Sequence, residues 1–531
     1  MIKRIILVFA LFCAFFRAQA NERIFITTDR SSYISGDRVW CSLFCVDNDG
    51  KLSGQSAVSY IELISAEGTV IEEKAALMNG RGCTTFNLPS NLPTGNYRLV
   101  AYTSCGGISV SGSRILSVYN TFTTARVKGG VKIESTFTPL EENPVVDNKL
   151  KVSTPVMVGA GRDFTIYLQS DQPASVAVSL ALCDGLDQYE NGDIGTFLAS
   201  GESFPLSGDV EYDGEIVRGK VSGAKVGTMA ILSSSGSASD SYISTVRSDG
   251  TLLFPTGNIF GNRELVCEVI GGPEDSYIVF DSPFRNPAPG AIPQLVLAPS
   301  QHDPLVARKE HIRLNAKADT LYTFLPKRED LLFEGMDWEV YDLDDYTRFP
   351  TVSEVIVEIL QGVGVGRDHG KKALYVLAQD GTESKKTIEY NVLAMLDGVI
   401  VSDLDVLLKF DAMLIKKVEV CRQGFAIGHT PYNGAVNFVT SKNYVTTVEF
   451  PSRVRVLDYK GVGFPLAYLG ERPSGSSDNR ELLYWNPVMD IDGSAGISVT
   501  APAYQGRFRL EIQGMTSSGE PLKAITYIDV H

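Results

Sequence analysis

Apolar residues in this chain recur mostly at every second position, in short runs broken by Gly, Ser and Asp. The run at residues 39–45 places Val39, Cys41, Leu43 and Cys45 on one face of an extended strand. A period of two is typical of a half-buried β-strand, because successive side chains of a strand point to opposite faces. Similar runs recur along most of the sequence, so the pattern predicts a mainly β protein.

Turn residues between these runs predict hairpins and several small β-sandwiches in tandem. The segment SYIELISAEGTVI is typical of a hairpin that bends at Glu67-Gly68, and GNYRLVAYT places Tyr97 and Leu99 on one face. Residues 205–285 contain four further β-runs that are separated by Gly, Ser and Asp turns: VRGKVSG, GTMAILSSSG, STVRSDGTLLFP and NRELVCEVIG.

The periodicity changes to that of a helix at residues 351–359. Thr351 and Glu354 have the spacing of a capping box, and apolar residues recur three and four positions apart. The predicted apolar face consists of Val352, Val355, Ile356 and Ile359. We expect this helix to end at the glycine run 362–366.

A tight turn at Asp397-Gly398 follows the helix, inside the segment YNVLAMLDGVIVSD. The apolar runs on its two sides predict strand, turn and strand. Ser402 or Asp403 is positioned to cap a short helix after the second strand. IKKVEVC and NGAVNFVTSK predict two more strands, which gives this part of the chain an α+β character.

The N-terminus has the features of a secretory signal peptide. Lys3 and Arg4 precede an apolar run, and small residues lead to a cleavage site after Ala20. The run is too short for a stable transmembrane helix. Cys13 raises the alternative of a lipoprotein, but Phe12 stands where a lipobox requires a small residue.

Length and charge narrow the classes of function. A chain of 531 residues is too long for one core and suggests several domains. Its net charge is −15, and removal of the signal peptide makes the chain more acidic. An acidic chain without a basic stripe is a poor candidate for binding nucleic acid or anionic lipid. We predict no transmembrane segment in the mature chain.

Seven cysteines remain after the predicted cleavage, at positions 41, 45, 83, 105, 183, 267 and 421. The odd number argues against a complete disulfide framework. One or two bridges among the first four stay open, as does the alternative that most of these thiols are small buried hydrophobes. A direct bond between Cys41 and Cys45 is excluded within an extended strand, because the two lie too far apart.

The sequence lacks patterns that carry catalytic or metal chemistry. Five histidines are scattered, and no CxxC, HExxH or Gly-x-Ser-x-Gly motif occurs. The glycine run 362–366 follows a helix rather than a strand, so it is a poor dinucleotide loop. His429 lies in a Gly-rich loop, where a histidine is more often solvated than a general base. We therefore predict no catalytic residue, no metal site and no cofactor.

Two short motifs near the N-terminus resemble the macroglobulin-type domain of alpha-2-macroglobulin relatives. The opening motif is Thr-Asp-basic-x-x-Tyr-x-x-Gly and the closing motif is Leu-Pro-x-Gly-x-Tyr. The matching residues are Thr28, Asp29, Arg30, Tyr33 and Gly36, then Leu92, Pro93, Gly95 and Tyr97. The resemblance implies a β-sandwich. No cysteine lies in the Gly-Cys-Gly-Glu-Gln thioester motif of full macroglobulins, so their covalent chemistry is not implied.

Weaker resemblances cover the next two regions. Residues 121–204 are similar to a second macroglobulin-like sandwich. The turn Ser248-Asp249-Gly250 lies in a region, 205–290, that resembles the carboxypeptidase-like regulatory domain. That domain is a small transthyretin-like accessory sandwich, and the resemblance implies no peptidase residues.

The tract 390–442 resembles the plug domain of TonB-dependent outer-membrane receptors. Three motifs carry the likeness: an apolar strand that ends in Asp-Gly-Val, a strand with an Ile-x-x-Ile-Glu-Val pattern, and an Asn-Gly-Val-Ile-x-Ile-x-Thr strand. The matching residues are Asp397, Gly398 and Val399; Ile415, Val418, Glu419 and Val420; and Asn433, Gly434, Ala435, Val436, Phe438 and Thr440. Ile427 departs from the family, which usually has Tyr there. We expect a plug-like fold without a barrel, because about ninety residues remain after Thr440 and a receptor barrel needs several hundred.

The predicted organisation has seven parts. They are a signal peptide at 1–20, a macroglobulin-like β-sandwich at 21–120, a second at 121–204, the regulatory-like domain at 205–290, a linker at 291–340, the plug-like α+β domain at 341–445 and a C-terminal β domain at 446–531. Along nearly its whole mature length this order is similar to that of Bacteroidetes-type envelope proteins.

These features favour a non-enzymatic binding or scaffold protein, exported to the periplasm or associated with the outer membrane or cell surface. We expect a protein partner in the outer membrane or at the cell surface, and no nucleic acid. Two alternatives stay open: a protease-interacting macroglobulin-like protein without the thioester, and a hydrolase. Tyr346-Thr347-Arg348-Phe349 is an aromatic and basic candidate patch, for which packing at the helix entrance is the plainer explanation.

Overall fold

The computed structural model of the chain describes most residues after position 21. The described residues are 22–140, 143–204, 208–235, 241–315, 322–324, 336–379, 386–427, 430–443, 445, 448–470 and 478–531. The predicted signal peptide and His429 lie outside them. The chain divides into two compact units. Unit 1 consists of Met1–Glu215, Pro283–Pro326 and Val462–His531, and unit 2 consists of Ile216–Ser282 and Lys327–Gly461.

Unit 1 begins with an eight-stranded sheet in the order β1-β3-β6-β5-β4-β7-β8-β2. Its strands are β1 (Arg23–Thr28), β2 (Ser32–Ile34), β3 (Arg38–Val46), β4 (Val58–Ser65), β5 (Gly68–Met78), β6 (Arg81–Asn87), β7 (Gly95–Tyr102) and β8 (Arg114–Tyr119). Neighbours are antiparallel except β2 and β8, which are parallel. Because β5 pairs first with β4 and at its end with β6, it joins two halves that enclose one core.

The core face predicted for β3 is confirmed, but the opposite face of the strand is buried as well, so β3 is not half-buried. Val39, Cys41, Leu43 and Cys45 all lie in the core between the two halves of the sheet. The hairpin predicted at Glu67-Gly68 is also present, as the connection between β4 and β5.

The second region of unit 1 combines strands from two distant parts of the chain. A six-stranded sheet contains β10 (Val145–Val146), β12 (Met157–Val158), β14 (Ala174–Leu182), β35 (Leu482–Ile491), β37 (Gly506–Thr516) and β38 (Pro521–Val530). A three-stranded sheet contains β11 (Leu150–Ser153), β13 (Asp163–Ser170) and β36 (Ser494–Thr500). Both sheets contribute to one core. These segments belong to two separate predicted regions, 121–204 and 446–531, and nothing local in the sequence indicates that they pair. The predicted domain boundaries stay predictions.

Shorter elements complete the described part of unit 1. They are the parallel pair β9 (Val131–Ile133) and β21 (Leu295–Leu297), the antiparallel pair β22 (Tyr322–Phe324) and β34 (Leu466–Tyr468), helix α1 (Ile194–Ala199) and helix α2 (His302–Asn315). Asp193 caps α1, because its side chain accepts a hydrogen bond from Thr196 N.

Unit 2 contains two small sheets that share one hydrophobic core. One has the order β18-β15-β20, with β15 (Glu215–Ser222), β18 (Thr251–Gly257) and β20 (Tyr277–Phe280). The other has the order β17-β16-β19-β33, with β16 (Met229–Ser234), β17 (Ser241–Thr245), β19 (Asn262–Val269) and β33 (Val454–Lys460). The strands predicted between 205 and 285 are therefore confirmed, and β33 joins them from a distant part of the chain.

A five-stranded sheet in the order β23-β29-β32-β27-β28 forms the other part of unit 2. Its strands are β23 (Trp338–Asp342), β27 (Val392–Leu396), β28 (Val399–Ile400), β29 (Ile415–Cys421) and β32 (Gly434–Thr440). Around it lie the sheet of β24 (Val363–Asp368), β25 (Lys371–Gln379) and β26 (Lys386–Glu389), the hairpin of β30 (Phe425–Ile427) and β31 (Thr430–Tyr432), and helices α3 (Val352–Glu358) and α4 (Leu404–Leu408).

The predicted helix is α3, and its capping box is present between Thr351 and Glu354. The four residues of its predicted apolar face are buried. The helix ends at Glu358, before the glycine run. Most of that run lies in strand β24, which corrects the expectation that residues 362–366 only terminate the helix. Asp403, rather than Ser402, caps α4.

The prediction of a mainly β fold is confirmed. The seven cysteines between positions 41 and 421 are free thiols, so the possible N-terminal bridges are not formed. None of the helices in the described part of the chain combines the length and the apolar character needed to cross a membrane.

Candidate functional site

The opening motif covers the connection between β1 and β2, strand β2 itself and the start of the turn that follows, and Asp29 is its buried acid. Asp29 is 3% exposed, and its Oδ1 accepts hydrogen bonds from the hydroxyl of Tyr33 at 2.8 Å and from Trp40 N at 3.0 Å. The hydroxyl of Thr28 donates to the carbonyl oxygen of Arg30 at 2.6 Å. Gly36 has φ of +99°, a conformation that other residues rarely adopt. The motif therefore builds a tight connection around one buried carboxylate.

Arg30 links this carboxylate to two other acids. Its guanidinium lies 3.5 Å from Asp29 Oδ2, 3.3 Å from Asp37 Oδ2 and 2.8 Å from Glu481 Oε2. Asp29 lies in the β1–β2 connection, Asp37 in the β2–β3 connection, and Glu481 directly before β35. One cation thus bridges two regions of unit 1 that are more than 400 residues apart in sequence.

Helix α2 contributes a second cation, Arg308, which is the only buried side chain among residues 302–314. Its Nε and Nη2 donate to the carboxylate of Asp184 at 2.5 and 2.8 Å, and its Nη1 donates to the carbonyl oxygen of Ser32 at 2.7 Å. One turn later, His311 Nδ1 lies 3.2 Å from Glu481 Oε1. We call Asp29, Arg30, Asp37, Asp184, Arg308, His311 and Glu481 the Asp29 cluster.

Burial shifts the acids of the Asp29 cluster in different directions. Desolvation raises the pKa of Asp29 to about 6, although Arg30 and the hydrogen bonds from Trp40 and Tyr33 oppose the rise. Desolvation likewise raises the pKa of Asp37. Burial alone would raise the pKa of Glu481, but the His311 hydrogen bond and the charges of Arg308 and Arg30 outweigh it and lower that pKa.

The Asp29 cluster pairs its charges internally. Such an arrangement fixes the relative positions of the chain segments that contribute its residues. Burial raises the pKa of each of the seven described cysteine thiols, which disfavours their thiolate form. Across the described ranges, no group of three or more His, Cys, Asp or Glu side chains is arranged to hold a metal ion.

The closing motif lies at the start of β7. The hydroxyl of Tyr97 donates to the carbonyl oxygen of Pro93 at 2.6 Å, and its ring is fully buried in the core. A Cβ on Gly95 would lie 2.6 Å from Cγ2 of Val127, so the chain passes too close for a larger residue. The opening and closing motifs share the core of the first sandwich, but they do not form one polar site.

In unit 2, Asp397 and Gly398 form the turn between β27 and β28 with φ of +51° and +78°. The carboxylate of Asp397 accepts hydrogen bonds from Thr440 N and Thr440 Oγ1, each at 2.7 Å, and from Val445 N at 3.2 Å. Asp397 is 4% exposed. Its side chain therefore fastens the turn to the end of β32.

Asn437 connects this turn to Glu419. Its Oδ1 accepts from Gly398 N at 3.0 Å, and its Nδ2 donates to Glu419 Oε2 at 2.9 Å. Lys417 Nζ donates to the other oxygen of Glu419 at 2.6 Å. We call Asp397, Gly398, Glu419, Asn437 and Thr440 the Asp397 network.

Gly434, the remaining motif position, lies at the start of β32, apart from the Asp397 network. A Cβ there would lie 2.6 Å from the carbonyl oxygen of Cys421 on β29. The position admits glycine because the two strands approach closely.

Several residues of these two sites were not singled out from the sequence. Asn437 carried a usable signal, since it is a polar residue inside the apolar run Ala435–Val439. Arg308, His311 and Glu481 carried none, because their partners lie in distant segments.

Residues 348 and 349 of the aromatic and basic candidate patch pack at the entrance of helix α3, in agreement with the structural explanation given for the patch. Arg348 Nη2 donates to the carbonyl oxygens of Met413 at 2.9 Å and Ile415 at 2.7 Å. Phe349 packs against the core of the five-stranded sheet. Tyr346 is exposed.

Comparisons with known proteins give no family. No family model matches the sequence, and no curated protein matches it either.

Solved structures of bacterial alpha-2-macroglobulins are similar to this chain at low identity. The trypsin-activated protein from Escherichia coli is 10% identical over 96% of this chain, with a TM-score of 0.25. The Salmonella protein reacted with methylamine is 9% identical over 97% of this chain, also with a TM-score of 0.25. The chain spans about two fifths of their length, 41% and 40% respectively.

The Yersinia pseudotuberculosis adhesin InvE is 12% identical over 50% of this chain and 60% of its own, with a TM-score of 0.16. At these scores the likenesses do not establish a shared fold.

Proposed function

We propose that this chain is an exported, envelope-associated binding or scaffold protein without catalytic activity, an accessory of an outer-membrane assembly. Export is supported by the predicted signal peptide, with its basic start, apolar run and small residues before position 21. The expected partner is a protein of the outer membrane or cell surface.

The observation that carries the proposal is the Asp397 network. The charged and polar residues of the plug-like motif serve to fasten a turn and two strands, with Asp397 and Glu419 hydrogen-bonded to chain groups of unit 2 itself. These residues hold the turn and the strands of the sheet together, so a structural role accounts for the motif without a catalytic one. A rigid sheet with exposed edges suits recognition of another protein.

In-cell crosslinking of the full chain with a C-terminal tag tests the proposal. After fractionation of the envelope, crosslinked species are identified by mass spectrometry. We expect one outer-membrane or surface protein at near-stoichiometric yield in the membrane fraction. Recovery of the chain alone in the soluble envelope fraction would overturn the proposal.

A matched pair of turn variants assigns the interaction to the five-stranded sheet. Asp397→Ala removes the buried aspartate of one Asp-Gly turn of unit 2, and Asp249→Ala removes the exposed aspartate of a second one. We expect the crosslink to be lost with Asp397→Ala and retained with Asp249→Ala. Equal crosslinking of both variants would show that the partner binds elsewhere on the chain.

A further inference from the structure

Strand β23, residues Trp338–Asp342, lies at the edge of the five-stranded sheet. It pairs with β29 on one side, from Trp338 opposite Cys421 to Asp342 opposite Lys417. No strand within the described ranges pairs with its other side. Alternate residues of such a strand turn both N–H and C=O outward, where another strand can be added. We call this strand and its outward backbone groups the β23 edge.

We propose that the β23 edge is the docking site for an extended, basic segment of a protein partner, which adds to the sheet as a further strand. The inference rests on the proposed function and names the surface and the chemistry of its partner. Main-chain hydrogen bonds supply affinity in this mode of recognition, and side chains on alternate positions supply specificity.

Charge selects the basic partner. The nine residues 337–345, which cover the β23 edge and the turn that follows, contain five acids: Asp337, Glu339, Asp342, Asp344 and Asp345. Cations pair with two of these acids, Arg422 with Glu339 at 2.8 Å and Arg348 with Asp344 at 3.3 Å. The other three make no ion pair with a described residue. The surplus of negative charge favours a strand that carries Lys or Arg.

The same charge argues against a second copy of this chain as the occupant. Two β23 edges would bring two acidic runs side by side, and like charges on adjacent strands are destabilising. Protein edges are commonly protected from self-association by such charges.

An exposed apolar side chain lies at the centre of the edge. Val340 is 57% exposed and stands opposite Glu419, which already bonds to Lys417 and Asn437. A valine or similar residue on an added strand would cover it. The partner segment that we propose therefore alternates basic and small apolar residues.

The edge is held in place from behind. The side chain of Asp342 accepts a hydrogen bond from Asp344 N at 3.1 Å and so caps the turn after the strand. Arg422 fastens Glu339 to the sheet and also donates to the carbonyl oxygen of Gly362 at 3.1 Å. A preformed edge lowers the entropy lost on binding.

Synthetic peptides test the inference on the purified full-length mature chain. The probe is a fluorescent peptide of about nine residues with alternating Lys and Val, long enough to cover the strand. A Glu-Val peptide tests the charge, and a Lys-Pro peptide of equal charge lacks every second donor and tests the backbone. We expect the Lys-Val peptide to bind at least about tenfold more tightly than either. Equal binding of Lys-Val and Lys-Pro peptides would mean that only net charge attracts them, which contradicts the proposal.

Matched edge variants locate the binding. Val340→Lys places a charge at the centre of β23, and Val279→Lys makes the same change at an exposed valine of the edge strand β20. We expect Val340→Lys to weaken binding of the Lys-Val peptide by about tenfold and Val279→Lys to change it by less than about twofold.

The double variant D337N/D345N, which leaves the strand intact, should also weaken binding of the Lys-Val peptide and reduce the dependence of that binding on salt. Equal loss with Val340→Lys and Val279→Lys overturns the proposal.

The crosslinking experiment separates this inference from the proposed function. A partner that still crosslinks to the Val340→Lys chain keeps the proposed function and overturns the β23 edge as its site. Absence of a partner from the unaltered chain overturns both.

Discussion

The Asp29 cluster and the Asp397 network are each built around a buried aspartate in a short motif, but their surroundings differ. Asp29 is accompanied by two arginines, a histidine and three further acids. Asp397 is held by a hydroxyl and two backbone N–H groups. The first aspartate therefore depends on the balance of charge around it, and the second on hydrogen bonds from neutral donors. Motif positions that are alike in sequence thus stabilise the two units by different physics.

Removal of the cation at the centre of the Asp29 cluster should have the largest effect. Arg30→Met leaves Asp29, Asp37 and Glu481 without the guanidinium that contacts all three. Breaking a buried ion pair from one side costs about 3–5 kcal/mol, because the remaining charges stay buried. We expect urea unfolding of the mature chain to show a loss of this size in unit 1.

Arg313→Met is the matched control for Arg30→Met. Arg313 forms its pair with Glu310 on the exposed face of α2. Its removal should leave the unfolding transition unchanged. Equal effects of the two substitutions would mean that burial does not distinguish the pairs.

The pKa of Asp29 predicts a dependence on pH that Asp29→Asn should abolish. The folded state raises this pKa from 3.8 to about 6, so it binds the proton more tightly than the unfolded chain. The contribution of Asp29 to stability is therefore full below about pH 4 and falls as pH rises to about 6, by about 3 kcal/mol at 1.36 kcal/mol per pKa unit. Unfolding free energies of both proteins across this range measure the difference, which should shift in favour of the Asn variant as pH rises.

Asp193, the cap of α1, provides the opposite sign. Burial alone would raise its pKa, but hydrogen bonds from Thr196 and Lys523 lower it. Its contribution is therefore present above the unfolded pKa and is lost as pH falls through the folded one. Asp193→Asn should cost stability at neutral pH and less in acid. A slope of the same sign for both variants would contradict the difference between the two environments.

Asp397→Ala should cost about 2–3 kcal/mol, since it leaves buried donors of Thr440 and Val445 without an acceptor. Hydrogen exchange of the β27–β28 turn and of the end of β32 should rise together. Asp249→Ala, in the exposed Asp-Gly turn between β17 and β18, should leave hydrogen exchange of these two strands unchanged. An effect of Asp249→Ala equal to that of Asp397→Ala would show that turn geometry, not the buried acceptor, stabilises the sheet.

The parts of this structure that sequence reasoning predicted are those with local causes. The capping box of α3 joins residues three apart, and the Asp397-Gly398 turn follows from two adjacent residues with positive φ. Alternation placed the core side of β3 correctly, because burial of one face needs no knowledge of the partner strand. Each of these signals is complete within about ten residues.

The parts that it missed depend on partners that are distant in the chain. β14 pairs with β35 and β37, and Arg30 meets Glu481 across 451 positions. Nothing near either residue encodes such a partner. The glycine run was misassigned for a related reason: Gly364 and Gly366 lie where Tyr375 and Tyr390 cross β24, which only the folded sheet reveals. Charge clusters assembled from four chain segments are therefore the least accessible feature to a single sequence.

Two of the motif glycines, Gly434 and Gly95, provide the smallest and most direct contrast. A Cβ at Gly434 would meet the backbone carbonyl of Cys421, and a Cβ at Gly95 would meet the side chain of Val127, each at 2.6 Å. A backbone atom in a paired strand cannot move without breaking the ladder, whereas a valine can change position within its core. We therefore expect Gly434→Ala to cost about 2 kcal/mol and Gly95→Ala about 1 kcal/mol, in the range of overpacking substitutions. Thermal unfolding of both variants measures this, and the double variant G95A/V127A should recover part of the loss at Gly95. A larger cost at Gly95 than at Gly434 would mean that the core of the first sandwich is the more rigid of the two regions.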